Sequence, residues 1–159
     1  MPDDPRMVYW DSCIFLHYIE GTKEWMPILD SLIDEASTTG ELVIVTSTVS
    51  ITEVAFAKVE KSGRALDPAV EADIDGLWAD RSAIRLVEFD QVIARAGRTL
   101  LRRAIEIGRS LKPMDAIHLA TAELMQVAEL HTTDDTLKTW NDLGFSVQDP
   151  YTQRPKLPM

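Results

Sequence analysis

Cysteine is nearly absent. Cys13 stands alone among 159 residues, so neither an internal disulfide nor a thiolate zinc site can be built within one chain. Glycine is sparse, with 7 residues, and none of them forms a phosphate-cradling loop of the P-loop or dinucleotide type. No apolar run approaches the ~18–20 residues that a membrane span needs. The start, Met1-Pro2-Asp3-Asp4-Pro5-Arg6, has no basic head followed by an apolar stretch. A signal peptide is therefore not expected, and a cytoplasmic location with no membrane association is. Positive charge is outweighed, with 16 Lys and Arg against 26 Asp and Glu for a net charge of −10. That excludes indiscriminate nucleic-acid binding over the whole surface. It leaves room for a local basic strip, a basic protein partner, or a carboxylate cluster that holds a cation. His17, His118 and His131 are not spaced as zinc ligands, and nothing marks a Ser-His-Asp triad.

What is present is a core. With 45% hydrophobic residues the chain has the content and length of one domain. Met7-Val8-Tyr9-Trp10 reads as a buried strand, followed at once by Asp11 and a short apolar helix closed by Gly21. Asp11 or Ser12 can cap that helix. Residues 24–38 form an amphipathic helix, and Leu42-Val43-Ile44-Val45 a strand buried on both faces. A helix is expected from about Val49 to Lys61, with Glu53 among its apolar positions and Glu60 and Lys61 on its surface. Asp67-Pro68 opens another helix, Ile84 to Phe89 alternates as a strand, and Asp90 caps a long helix of about 91–109. On that helix Arg95, Arg98, Arg102 and Arg109 share one stripe, with Arg103 beside it. The stripe is either a phosphate-contacting strip or a solvated face paired with nearby acids. Val127 to Thr132 and Phe145 to Val147 are short strands. Strands alternating with helices imply one parallel α/β sandwich.

The stretch Pro113 to Ala122 carries most of the chemical information. Pro113 suits a first helical position, and Asp115 then lies in the first turn of an apolar helix. An acid there suits the helix dipole, so taken alone it needs no function. Asp11 and Asp134 occupy comparable places, each following a strand. In open α/β sheets the carboxyl ends of the strands are where ligands bind. If Glu53 joins them, four carboxylates share one cleft and cannot all ionise without a compensating cation. Hard divalent ions, Mg²⁺ or Mn²⁺, suit oxygen ligands, and such ions support phosphodiester hydrolysis.

The pattern resembles the PIN-domain nucleases, and among them the VapC-like toxins of toxin–antitoxin pairs. The resembling residues are Val8-Tyr9-Trp10-Asp11-Ser12-Cys13, Ser47 to Val54, Asp115-Ala116-Ile117-His118-Leu119-Ala120-Thr121-Ala122, and Thr132-Thr133-Asp134-Asp135-Thr136-Leu137. The resemblance implies a PIN-like three-layer sandwich, with a central, mainly parallel sheet flanked by helices. It implies a nuclease domain over 7–148, between a flexible 1–6 and a loose tail of 149–159. It makes Asp11, Glu53, Asp115 and Asp134 both the catalytic acids and the Mg²⁺ or Mn²⁺ ligands, with Ser12 and Thr132 as helpers. Asp135 is the alternative fourth acid, and Cys13 stands where the family usually has a small hydroxyl or Asn residue. The implied activity is metal-dependent cleavage of RNA, with Arg95, Arg98 and Arg102 as candidate RNA contacts, an antitoxin protein as partner, and a homodimer as the assembly. The competing expectations are a silent PIN-like module that binds RNA or protein and, more distantly, a small metal-dependent phosphatase.

Overall fold

In β1 (Arg6–Trp10) and β2 (Leu42–Ser47) apolar residues run on without alternation, so both faces of each strand must be covered. The computed structural model, which describes residues 4–152, covers them with helices on either side. Between β1 and β2 lie α1 (Ser12–Glu20) and α2 (Met26–Thr39). Then α3 (Val49–Glu53), α4 (Lys58–Gly63) and α5 (Pro68–Ala79) lead to β3 (Ile84–Val87). Next come α6 (Gln91–Ile107), α7 (Pro113–Leu124) and β4 (Glu129–His131), and a single 3₁₀ turn (Leu137–Thr139) precedes β5 (Ser146–Gln148). The strands stand in the order β3-β2-β1-β4-β5, and every pairing is parallel. The expected α/β sandwich is thus observed, with an all-parallel sheet.

Strand alternation divides the core in two. Val8, Trp10 and Ile44 pack with Ile14, Phe15, Leu29 and Leu77 on one face. Tyr9 and Val45 pack with Ile93, Leu100, Leu119 and Trp140 on the other. This parity turns Tyr9 toward α6 and α7, which matters for the site below. Helices α6 and α7 meet closely at Gly97, where an added Cβ would lie 3.6 Å from the Ala116 carbonyl oxygen, an ordinary contact. Gly97→Ala is therefore expected to fit, and to raise stability by about 0.5–1 kcal/mol through helix propensity. A denaturant midpoint would read the gain, and a fall would mean that the helices are packed tighter than this distance.

Three local expectations need correction. The helix expected over 49–61 is two helices, because the chain leaves helical geometry at Val54 and is extended at Ala57. Glu60 is buried rather than a surface residue. Its Oε1 accepts the Ala57 N–H at 3.2 Å and its Oε2 the Asp67 N–H at 2.8 Å, so it pins the next loop. Arg109 does not continue the arginine stripe. It lies beyond α6, bonds Asp142 at 2.8 Å and sits over the Trp140 ring at 5.0 Å. Asp67 and Asp90 do cap their helices, accepting from Ala69 and Ile93. Of the two expected end segments, Arg6 already pairs in β1 and the Tyr151 hydroxyl donates to Glu129. Residues 1–3 and 153–159 lie outside the described residues.

Candidate active site

The topology places a switch point between β1 and β4. The chain builds outward from β1 to β2 and β3, then returns to the other side of β1 for β4 and β5. In such sheets the crevice at the carboxyl ends of the two diverging strands is open to a ligand. Asp11 leaves the end of β1 there, and Thr132 and Asp134 follow β4.

Asp11 occupies the N-cap position of α1, yet its side chain caps nothing. Instead Oδ2 accepts from the Thr132 hydroxyl at 2.5 Å, and Oδ1 from the Cys13 thiol at 2.8 Å. The same Thr132 hydroxyl oxygen accepts the Asp134 N–H at 3.1 Å, which couples the two strand ends. Asp11 is 4% exposed, and burial pushes its carboxyl up despite the bonds from Cys13 and Thr132. Burial, and then Asp11, push the Cys13 thiol up to about 12, so this sulfur serves as a protonated donor rather than a nucleophile. Cys13 thus has a polar contact that its apolar character did not announce. Ser12 opens α1, and among the described residues its hydroxyl makes no side-chain hydrogen bond.

Asp115 stands in the first turn of α7, half-buried and without a hydrogen-bond partner among the described residues. Its carboxyl is pushed up by burial, then by the charge of Asp134, with Asp11 and Glu53 adding to it. All four carboxylates are therefore electrostatic neighbours. Asp134 accepts the Thr136 N–H at 2.9 Å. Asp135, by contrast, turns outward, its side chain 96% exposed and bridged to Lys138. The geometry therefore separates the two adjacent acids and places only Asp134 beside Asp115.

Glu53, the last residue of α3, has its Oε1 2.5 Å from His118 Nε2. His118 Nδ1 is 2.6 Å from the Tyr9 hydroxyl, and Tyr9 in turn accepts the Ser47 N–H at 3.0 Å. Burial pushes the Tyr9 hydroxyl well above its ordinary value, so it keeps its proton. Tyr9 was legible only as a strand residue. His118 had one clue, its place one helical turn after Asp115 on α7. Arg95, Arg98 and Arg102 are exposed and make no ion pair among the described residues, and no hydrogen bond joins them to the carboxylates.

The donor set suits a hard divalent ion: four carboxylates, mutually repelling, with both Asp115 oxygens and Glu53 Oε2 uncommitted. As placed, no three His, Cys, Asp or Glu side chains among the described residues stand close enough to share a metal. The chemistry fits a cation that draws the carboxylates together, and not a preformed cage.

A family model described as PIN domain matches residues 8–141. No curated protein sequence matches. Solved structures do. FitAcB from Neisseria gonorrhoeae is 21% identical with TM-score 0.63, over 91% of this chain and 98% of that one. The sarcin–ricin loop cleaving toxin VapC20 of Mycobacterium tuberculosis is 14% identical with TM-score 0.64, over 87% and 98%. VapBC2 from Rickettsia felis, bound to a DNA fragment from its promoter, is 12% identical with TM-score 0.65, over 90% and 98%. At these identities the structural likeness speaks for the fold, and the family match covers most of the chain: the protein belongs to the PIN domain family.

Proposed function

We propose that the protein is a Mg²⁺- or Mn²⁺-dependent endoribonuclease, working in the cytoplasm as the toxin of a toxin–antitoxin pair. One observation carries the reading. Asp11 and Asp134 follow the ends of β1 and β4 at the switch point, and the Asp115 carboxyl, pushed up first by its burial, is raised further by the charges of Asp134, Asp11 and Glu53. Asp11, Glu53, Asp115 and Asp134 would hold the ion. When bound, it supplies a water of lowered pKa and stabilises charge on the phosphate. The chain's own contribution is to hold and aim the carboxylates. Thr132 and Cys13 fix both oxygens of Asp11, and Thr132 also takes the Asp134 N–H, so β1 and β4 keep one spacing. Arg95, Arg98 and Arg102 give an otherwise acidic surface a positive strip for the RNA backbone. RNA is favoured as substrate because one neighbour of the same fold is a sarcin–ricin loop cleaving toxin.

The partner surface we assign to the antitoxin flanks α5. One concavity, about 280 Å³, is lined on one side by apolar residues, Ile51, Phe56, Leu66 and Ile74 among them, and on the other by the acidic Glu60, Glu71 and Asp75. An apolar segment fits the apolar side of this concavity. A second copy of the chain, as a homodimer, is the further expected contact.

The test is incubation of the purified protein with a mixed RNA pool in Mg²⁺ or Mn²⁺, with EDTA, single-stranded DNA and p-nitrophenyl phosphate as parallel arms. RNA cut only with metal is the expected result. RNA bound but never cut, whatever the metal, supports the silent binding module. Turnover of the phosphomonoester with RNA untouched supports a phosphatase.

A further inference from the structure

Of the four carboxylates, Glu53 has the least support from its own element. Helix α3 has five residues, and the backbone leaves helical geometry at the next one, Val54 (φ −90°, ψ 59°). Among the described residues the Glu53 carboxylate has a single hydrogen-bond partner, His118. His118 itself is locked. Its side chain is 1% exposed, and it lies edge-on to the Tyr9 ring at 5.6 Å between centroids. Tyr9 is fully buried in β1.

The proton positions follow from the two ends of the chain of bonds. The Ser47 N–H can only donate, so it occupies a lone pair of the Tyr9 oxygen. With the imidazole neutral, the Tyr9 O–H then points to His118 Nδ1, which accepts. The imidazole proton is thereby left on Nε2, aimed at the Glu53 carboxylate. For a neutral imidazole, the backbone amide at one end and the carboxylate at the other set this ordering. It commits Oε1 of Glu53 and leaves Oε2 without a partner. Asp115 and His118 sit three residues apart on α7, so one helix supplies a carboxylate to the site and the group that holds another.

The geometry points to His118, oriented by Tyr9, as the positioning residue that aims Glu53 into the carboxylate cluster. This inference rests on the metal-dependent nuclease reading. Where a side chain orients a metal-binding group, its loss weakens metal affinity by about 10–100-fold.

The experiment compares the full-length wild type with His118→Leu and His118→Gln. Mn²⁺ affinity is read by calorimetry, RNA cleavage as kcat and KM, and stability as a thermal midpoint. His118→Leu keeps the buried volume and is expected to weaken Mn²⁺ binding ~10–100-fold and to lower kcat with KM little changed. His118→Gln, which retains an N–H donor for Glu53, is expected to recover most of the Mn²⁺ affinity. If His118→Leu melts lower yet binds Mn²⁺ as tightly as the wild type, His118 only packs, and the inference is overturned while the nuclease reading stands. A wild type that neither binds Mn²⁺ nor cuts RNA overturns both. Should His118→Leu fail to fold, nitrogen NMR of the wild-type imidazole decides. The Nε2–H tautomer, with signals that move on saturating Mg²⁺, supports the inference. The Nδ1–H tautomer, or signals that stay put, contradicts it.

Discussion

Asp115→Asn is expected to abolish turnover and, at the same time, to make the metal-free protein more stable. The two effects share a cause. Burial raises the Asp115 carboxyl, and Asp134, Asp11 and Glu53 raise it further, so the folded state disfavours its charge. A raised carboxyl contributes stability that is fully present below the ordinary value of 3.8 and is lost as pH rises through the higher folded value. Asp11 has the same sign, because its burial outweighs its two hydrogen bonds. As pH rises toward neutral, both groups therefore oppose folding of the metal-free protein. The Asn variant removes one charge at nearly constant shape, and a gain of about 0.5–2 kcal/mol is the usual scale for relieving such a site. The same carboxylate is needed to neutralise the cation and aim it at the phosphate. Its loss is expected to lower the cleavage rate at least ~100-fold, as when one preorganised electrostatic partner is removed. Melting curves in EDTA and initial cleavage rates in Mn²⁺ read the two effects. A variant that melts lower in EDTA, or that cuts at nearly the wild-type rate, is incompatible with a repelling cluster at the reaction centre.

Glu129→Gln is expected to do the opposite, costing about 3 kcal/mol at pH 7 while sparing the chemistry. Glu129 is 5% exposed, and it meets Arg6, the His131 Nε2–H at 3.2 Å and the Tyr151 hydroxyl at 3.0 Å. The Trp10 indole donates to His131 Nδ1 at 3.1 Å, which fixes the imidazole proton on the nitrogen facing Glu129. Burial pushes the Glu129 carboxyl up. The hydrogen bonds from His131, then Arg6, and that from Tyr151 outweigh it and leave the carboxyl at about 2 against an ordinary 4.5. Here the sign reverses: the stabilisation is present above 4.5 and is lost as pH falls toward 2. Gln would turn an amide donor toward Arg6 or His131, leaving one of them unpaired in a buried place. A fall in midpoint of about 10 °C follows for a chain of this size. The wild type should lose stability steeply below about pH 4.5 and the variant much less. None of the four site carboxylates touches Glu129, so cleavage per folded molecule should be unchanged. Equal midpoints at pH 7 would mean that Arg6 and Tyr151 find water as good a partner.

Much of the candidate site was legible because its acids sit at places with positional meaning. Asp11 after an unbroken apolar strand and Asp115 behind Pro113 both point to element ends. A parallel sheet gathers strand ends on one edge. The choice between Asp134 and Asp135 was open on paper, because adjacent residues differ only in direction, which the turn after β4 decides. The Tyr9–His118–Glu53 chain was hidden because it joins three elements and depends on which face Tyr9 takes in β1. The break between α3 and α4 was hidden too. The apolar spacing of Val49, Ile51, Val54 and Val59 fits one continuous helix, and only the buried Glu60, capping the Ala57 N–H, shows why a second helix starts. Arg109 looked like a member of the Arg95–Arg98–Arg102 stripe because periodicity does not announce where a helix stops. Asp142, which captures it, is remote in sequence.

The most direct test of the carboxylates as one cation-holding unit is a Mn²⁺ titration of the wild type and Asp115→Asn by calorimetry, at pH 7 and low salt. Saturable binding by the wild type, with affinity at least ~10-fold weaker in the variant, is the result this account predicts. No binding by a folded wild type, or the same affinity in both proteins, would contradict it.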